Sequence, residues 1–469
     1  MSSAAPQPAP ESTAHPLIGH ANAEAIVAYR RGGPVPAARF LAEVAATARA
    51  LPQAGHVLNA CGDRYRFAVV LCAAIVRGQL TLLPPTTTPN VVRAMRDFAP
   101  GAYYVSDDPA TSLELPRLDL ESIAIADADA IPGAAVIPAQ AGTQLEVPAI
   151  DAGQAIACVF TSGSTGEPQP NFKTWGSMVR DVQAEARRFG VGPGHTVLGT
   201  VPPQHMYGFE STVLMPLASG AALTSERLYY PGDIDAAPRR SPGRRILFTT
   251  PFHLRAWLEG DDVAQVETIV SATAPLSLDL ARRAEQATGG RLFEIYGCTE
   301  SGQVATRRTT HESHWQAFDG VRLWNEDGQA MVAGGHVERP TPLHDVIETE
   351  GDGSRFVLLG RTSDMVNIAG KRNSLGYLNH QLTSVPGVAD GAFFLPDEAE
   401  PDGVTRLMAF AVAPGLDSAA VLAALRARID PAFMPRPLVL VERLPRQLTG
   451  KLTRESLQAL ARKARGTAP

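Results

Sequence analysis

The sequence predicts a large layered α/β domain followed by a small α+β domain, and three observations carry that prediction. Between residues 195 and 300 short apolar runs alternate with helical stretches, the pattern of α/β layers with largely parallel strands. Residues 317–360 turn to short strands separated by Gly and charged turns, as in a small β-subdomain. After Gly360 the pattern changes again, to a compact α+β stretch ending in the basic tail Arg462–Pro469. A chain of 469 residues is too long for one ordinary core and fits two or three domains.

The elements follow in order. The first sixteen residues, MSSAAPQPAPESTAHP, hold no Lys or Arg and no apolar core. They are expected to form a mobile tail (residues 1–16) and not a signal or transit peptide. Ala37–Ala50 and Tyr65–Arg77 read as helices, and Leu80–Leu83 as a buried strand stopped by Pro84–Pro85. Residues 125–152, rich in Ala, Pro and Gly, read as a loop. Ala155–Phe160 is a buried strand, and Gly176–Phe189 a following helix. Thr196–Thr200, Ile246–Thr249, Thr268–Ser271 and Leu292–Ile295 are strand candidates. The expected organisation is a domain over 17–360, a hinge at 361–364 and a C-terminal domain over 365–469. No internal repeat is visible.

Composition excludes several classes. Hydrophobic content of 45% and charged content of 19% are those of a soluble globular protein. A net charge of −6 argues against a nucleic-acid partner, which calls for a basic face. The longest apolar run, Phe67–Val76, is about half of what a membrane-spanning helix needs, so no membrane insertion is expected. Cys61, Cys72, Cys158 and Cys298 are scattered without a C-x-x-C pair, which disfavours a metal cluster or a disulfide framework. The expectation is a reduced, cytoplasmic protein.

Five segments carry chemistry: TSGSTGEP at Thr161–Pro168, PPQHMYG at Pro202–Gly208, YGCTE at Tyr296–Glu300, GRTSD at Gly360–Asp364 and LPRQLTGK at Leu444–Lys451. The chain has 42 Lys+Arg but only four lysines, and Lys173, Lys371 and Lys451 lie in or beside Gly-rich segments. In TSGSTG, Gly163 and Gly166 allow tight turns, while Thr161, Ser162, Ser164 and Thr165 offer hydroxyls and backbone N–H groups. Such a loop can wrap the β- and γ-phosphates of ATP without a fixed cation. It is not a Walker P-loop, because no G-x-x-x-x-G-K-[ST] occurs. YGCTE places a Tyr ring, a Thr hydroxyl and a carboxylate within five residues; alone, it also reads as a turn with a solvated Glu.

Together and in this order, the five segments resemble the adenylate-forming superfamily of acyl-CoA synthetases and AMP-ligases, over roughly Leu80 to Arg454. The resemblance implies that ATP is held by Thr161, Ser162, Gly163, Ser164, Thr165 and Gly166. It implies Tyr296 near adenine, Thr299 on the α-phosphate and Glu300 as the protein ligand to Mg²⁺. One carboxylate suffices for Mg²⁺ that also takes phosphate oxygens. Asp345 and Arg361 match the family's ribose clamp, and Lys451 its catalytic lysine. Gly370 and Arg372, in NIAGKRNSLG, match the loop that lines the thiol tunnel after domain rotation. His205 matches a position near the acyl pocket; it also reads as a satisfied structural histidine.

Three departures accompany the match. Pro168-Gln169-Pro170 stands where Pro-Lys-Gly usually closes the phosphate loop, so either Lys173 takes over or the loop alone holds pyrophosphate. Leu343-His344 replaces the usual Thr-Gly before Asp345, and Ser363 stands at a hinge position commonly Asp or Lys. No Asp lies between Thr200 and Phe209, where amino-acid-activating relatives hold the α-amino group, so an α-amino acid is disfavoured. The segment Cys61–Pro85 is similar to the compact aryl-acid ligases of aryl-polyene and xanthomonadin-type pigment pathways. That similarity implies loading of a hydroxybenzoate-like acid onto the phosphopantetheine of an acyl carrier protein. A conventional aryl- or acyl-CoA ligase, and a nucleotide-binding relative without turnover, stand as alternatives.

Overall fold

A computed structural model describes residues 14–120, 145–162, 168–260, 262–361, 365–368, 371–396, 406–446 and 452–466. The chain divides into two compact units: residues 1–229 with 237–248, and residues 230–236 with 249–469.

The first unit holds two mainly parallel sheets. One runs in spatial order Pro168–Thr174, Ala155–Ser162, Leu80–Leu83, His56–Asn59, Tyr103–Ser106 and Arg117–Asp119, parallel throughout except for the first pair. Val57, Leu58, Leu82, Leu83, Val105 and Ala157 are all buried, as in a sheet covered on both faces. The other sheet runs Arg244–Thr249, His195–Gly199, Ala222–Thr224, Ile26–Arg30 and Gly33–Pro36, closing with an antiparallel hairpin. The helix Arg64–Val76 is apolar around nearly its whole circumference and is correspondingly buried. Asp63 caps it by accepting from the Arg66 N–H at 2.9 Å, an interaction worth about 1 kcal/mol.

In the second unit the strands run Thr268–Ser271, Arg291–Cys298, Gly302–Arg307, Trp315–Ala317, Arg355–Arg361 and Asp345–Glu350. The first pair is parallel and the rest antiparallel. A three-stranded meander over Arg322–Glu326, Gln329–Gly334 and Val337–Leu343 supplies the expected small β-subdomain. From Met365 onward come a hairpin, the helix Leu375–Thr383, and a sheet of Asp390–Phe394, Met408–Val412 and Leu438–Leu440. This stretch has its own core, with Leu378, Leu382, Phe393, Val421, Leu425 and Phe433 packed together. The fold is thus the mixed α/β plus α+β architecture expected from the sequence. The hinge expected at 361–364 falls largely outside the described residues, at 362–364.

Two expectations need correction. Of the tail expected over 1–16, Ala14–Pro16 instead forms a strand paired with Ala149–Asp151. The Trp175 indole N–H donates to the His15 carbonyl at 3.2 Å, and Leu17 is fully buried, so this end is anchored. The same pairing makes Ala149–Asp151, expected as loop, a short strand. A further strand, Pro168–Thr174, follows the phosphate segment where none was expected; as the edge of its sheet it tolerates Pro168 and Pro170.

Candidate active site

The YGCTE segment ends the strand Arg291–Cys298, with a register irregularity between Tyr296 and Gly297. A Cβ at Gly297 would lie 2.3 Å from the Gly302 carbonyl oxygen, so only glycine lets the two strands close there. The Tyr296 ring packs 5.7 Å from both Trp315 and Phe356, which stack on each other at 15°. Its phenol donates to Asp345 Oδ2 at 2.7 Å. Asp345 and Arg361 lie opposite each other in antiparallel register, the first residue of one strand facing the last of the other. The structure thus brings Tyr296, Asp345 and the backbone of Arg361 together. Thr299 and Glu300 follow in the turn, Thr299 half-buried and Glu300 exposed.

An adjoining loop is pinned at both ends. The Ala272 N–H donates to the Thr249 carbonyl at 3.2 Å, and that of Leu276 to Glu294 Oε1 at 3.3 Å. Glu294, itself buried, is held by Arg307 and by the Thr309 hydroxyl. Between the pins Thr273 has φ +75°, a conformation that a β-branched residue adopts only under constraint.

In the first unit, Thr161 and Ser162 close the strand Ala155–Ser162, with Ser162 opposite Pro168 and Thr161 opposite Gln169. Gly163, Ser164, Thr165 and Gly166, which follow, lie outside the described residues. Lys173 sits opposite Ala157 in the second of these strands and is 7% exposed. Its charge acts on the buried carboxyl of Glu210, which burial pushes well above the usual carboxylate range, with Asp181 adding to the shift.

The PPQHMYG segment leaves the strand His195–Gly199 and enters a short helix at Met206, continued by a π-helical stretch over Phe209–Leu214. Such π stretches recur at functional sites. His205 is half-buried at the start of the helix, and its N–H donates to the Pro202 carbonyl at 3.2 Å. Tyr207 is buried and meets Phe248 edge-on at 6.1 Å; Phe248 in turn meets Phe189 at 6.3 Å. This aromatic cluster is missing from the motif-based expectation, because its members are 41 and 18 residues or more apart and follow no common period.

Lys451 and Gly370 lie outside the described residues. Arg372 lies in the strand Lys371–Ser374, opposite Asn367. Among the described residues no group of three or more His, Cys, Asp or Glu is placed to hold a metal ion. A single exposed carboxylate, Glu300, fits Mg²⁺ that arrives on the phosphates of ATP, and it does not fit an all-protein cage. No helix among the described residues is long and apolar enough to cross a membrane.

Comparison with known proteins adds kinship to this geometry. The profile of the family described as AMP-binding enzyme matches residues 39–332. Over 284 residues the chain is 32% identical to a 4-coumarate–CoA ligase from Rhodobacter capsulatus, covering 59% of this chain and 68% of that one. It spans 56% and 23% of the lengths of the two curated relatives that follow. Among solved structures, ATP-bound MatB from Rhodopseudomonas palustris superposes with a TM-score of 0.77 at 18% identity, covering 94% of this chain and 97% of that one. The o-succinylbenzoate CoA synthetase of Bacillus subtilis, in complex with its acyl-adenylate, does so at 0.76 and 17% identity, covering 93% and 95%. At such identities these likenesses show the fold.

Proposed function

The chain belongs to the AMP-binding enzyme family, and on that premise we propose that it is an AMP-forming ligase that activates an aromatic carboxylic acid with ATP and passes the acyl group to a thiol. The observation that carries this reading is the Tyr296–Asp345 hydrogen bond at the strand end where Asp345 faces Arg361. A carboxylate fixed by a phenol, with an arginine across from it, suits the vicinal hydroxyls of a ribose, and the Tyr296 ring offers a flat face for adenine.

The acid's carboxylate attacks the α-phosphorus, the bond to the β-phosphate breaks, and pyrophosphate leaves. Glu300 would be the protein ligand to the Mg²⁺ that comes with ATP, which would neutralise phosphate charge, and Thr299 would contact the α-phosphate. Two anions must approach each other in this step, and the Lys451 ammonium offsets their repulsion and the charge that develops. Thr161, Ser162, Gly163, Ser164, Thr165 and Gly166 hold the departing phosphates. Lys173 is buried, and its charge acts on the Glu210 carboxyl. A thiol then attacks the adenylate carbonyl and AMP leaves, with Gly370 and Arg372 lining its approach.

Support for an aromatic acid comes from the Tyr207–Phe248–Phe189 cluster, the absence of Asp between Thr200 and Phe209, and kinship with 4-coumarate–CoA ligase. Two acceptors fit. That kinship supports CoA, and the resemblance of Cys61–Pro85 to pigment-pathway ligases supports the phosphopantetheine of an acyl carrier protein. Intact-mass analysis decides, with hydroxybenzoates and cinnamates, MgATP, and either CoA or a phosphopantetheinylated carrier protein. An aroyl thioester on either thiol supports the proposal. AMP release with no thioester on either contradicts the second half-reaction.

A further inference from the structure

The start of the helix Arg64–Val76 has no role in the reaction described above, yet it places a guanidinium in the core. Arg64 is 2% exposed, and each of its five N–H groups meets an oxygen. Nε donates to Thr212 Oγ1 at 3.0 Å. Nη1 donates to the carbonyls of Thr224 at 3.1 Å and Glu226 at 3.0 Å. Nη2 donates to the carbonyls of Gly199 at 2.9 Å and Val201 at 3.2 Å. None of these acceptors is a carboxylate. A cation this deep is tolerated only when its donors are fully used, and here they are. Burial pulls its pKa down to about 10, with Asp63 opposing the shift.

Three of the five bonds bracket one segment. Gly199 and Val201 lie where the strand His195–Gly199 runs into PPQHMYG. Thr212 lies just beyond it and passes the bond on, its hydroxyl donating to the Gly208 carbonyl at 2.6 Å. Midway along, the Gln204 amide donates to the carbonyl of Cys61, three residues before Arg64. The fit leaves no slack. A Cβ at Gly199 would meet Thr212 Cγ2 at 2.6 Å, and one at Gly208 would meet the Pro202 carbonyl oxygen at 2.1 Å. Residues 199–208 are therefore held at their start, middle and end from the start of a single helix, with His205 and Tyr207 inside the bracket.

We propose that Arg64 is a positioning residue for the acid: through Gly199, Val201 and Thr212 it fixes the backbone that carries His205 and Tyr207. The inference rests on the assignment of this segment to the acid. Lysine does not substitute, because three donors on one nitrogen cannot reach five oxygens spread around a planar fork. Arg64 touches no substrate; its effect passes through the segment it braces.

The test compares wild type, Arg64→Lys and Thr212→Val, the last keeping side-chain shape while removing the relay to Gly208. Acid and ATP kinetics, thermal stability and hydrogen exchange over 199–212 are measured on each. Folded variants are expected to lose roughly 10–10²-fold in kcat/KM for the acid, the scale of a small misplacement of reacting groups. ATP KM should stay within about twofold, the range a remote brace allows, and faster exchange should be confined to 199–212. Unchanged acid kinetics in a folded variant overturn the proposal. So does an equal loss on the ATP and acid sides, which a merely structural role would give. Should Arg64→Lys fail to fold, Thr212→Val decides by the same comparison. A wild type that adenylates no acid overturns the functional reading, and the exchange measurement then decides the brace alone: unchanged exchange in Thr212→Val rules it out.

Discussion

Tyr296 donates a 2.7 Å hydrogen bond to Oδ2 of Asp345, tying residues 49 positions apart. The bond locks the end of the YGCTE strand to the strand whose first residue faces Arg361. Asp345→Ala should raise ATP KM roughly 10–100-fold, the cost of losing hydrogen bonds to a charged acceptor. Tyr296→Phe, which removes only the orienting donor, should cost about tenfold or less. Steady-state kinetics with each substrate varied in turn check both. An equal rise in acid KM would assign Asp345 to general folding.

Lys451→Ala should lower the adenylation rate roughly 10²–10³-fold, the scale of losing one charge-stabilising donor in the transition state. ATP affinity, read by calorimetry, should hardly move. Acyl-AMP formation at near-wild-type rate would remove the role given to Lys451.

The Glu210 carboxyl is pushed up chiefly by burial, then by Asp181, against the opposing charge of Lys173. The folded protein therefore keeps a proton there that the unfolded chain releases above its ordinary value of 4.5. The stability from this group is full below that pH and is lost as pH rises toward the folded pKa. Glu210→Gln cannot ionise and keeps a similar shape. Its Tm should exceed that of wild type by about 2–4 °C near neutral pH, with the gap closing as pH falls toward about 4.5. A variant less stable than wild type near neutral pH would contradict the assignment.

Lys173→Met removes the cation from that buried acid group. It should lower Tm by several degrees, since the cation acting on Glu210 against the carboxyls of Asp181 and Glu185 is lost, and leave ATP KM within about twofold, as for a group away from the phosphates. A tenfold rise in ATP KM at unchanged Tm would make Lys173 the replacement for the missing loop lysine.

Much of the fold is legible in the sequence where a local signal decides it. The helix Ala37–Ala50 and the strands Leu80–Leu83 and Thr268–Ser271 are readable residue for residue, from helical spacing and from short apolar runs bounded by turn residues. Pro168–Thr174 is hidden by its prolines, which read as a loop until the strand's edge position is known. The π-helical stretch at Phe209–Leu214 is buried at every position and leaves no periodic pattern to read.

The site divides the same way. Tyr296, Asp345 and Arg361 are singled out by motif resemblance, whereas the bond between the first two belongs to sheet register. Arg64 carries no signal at all: its carbonyl partners lie 135 to 162 residues away, and a carbonyl looks alike in every sequence. The nearest local hint is the departure of CGDRYRF from an otherwise apolar stretch.

The measurement that bears most directly on the central claim is acid-dependent exchange of labelled pyrophosphate into ATP, run with magnesium against benzoates, cinnamates, fatty acids and amino acids. The account predicts exchange with aromatic acids, little with amino acids, and near-complete loss in Lys451→Ala. ATP binding with no exchange for any acid would contradict adenylation by this chain.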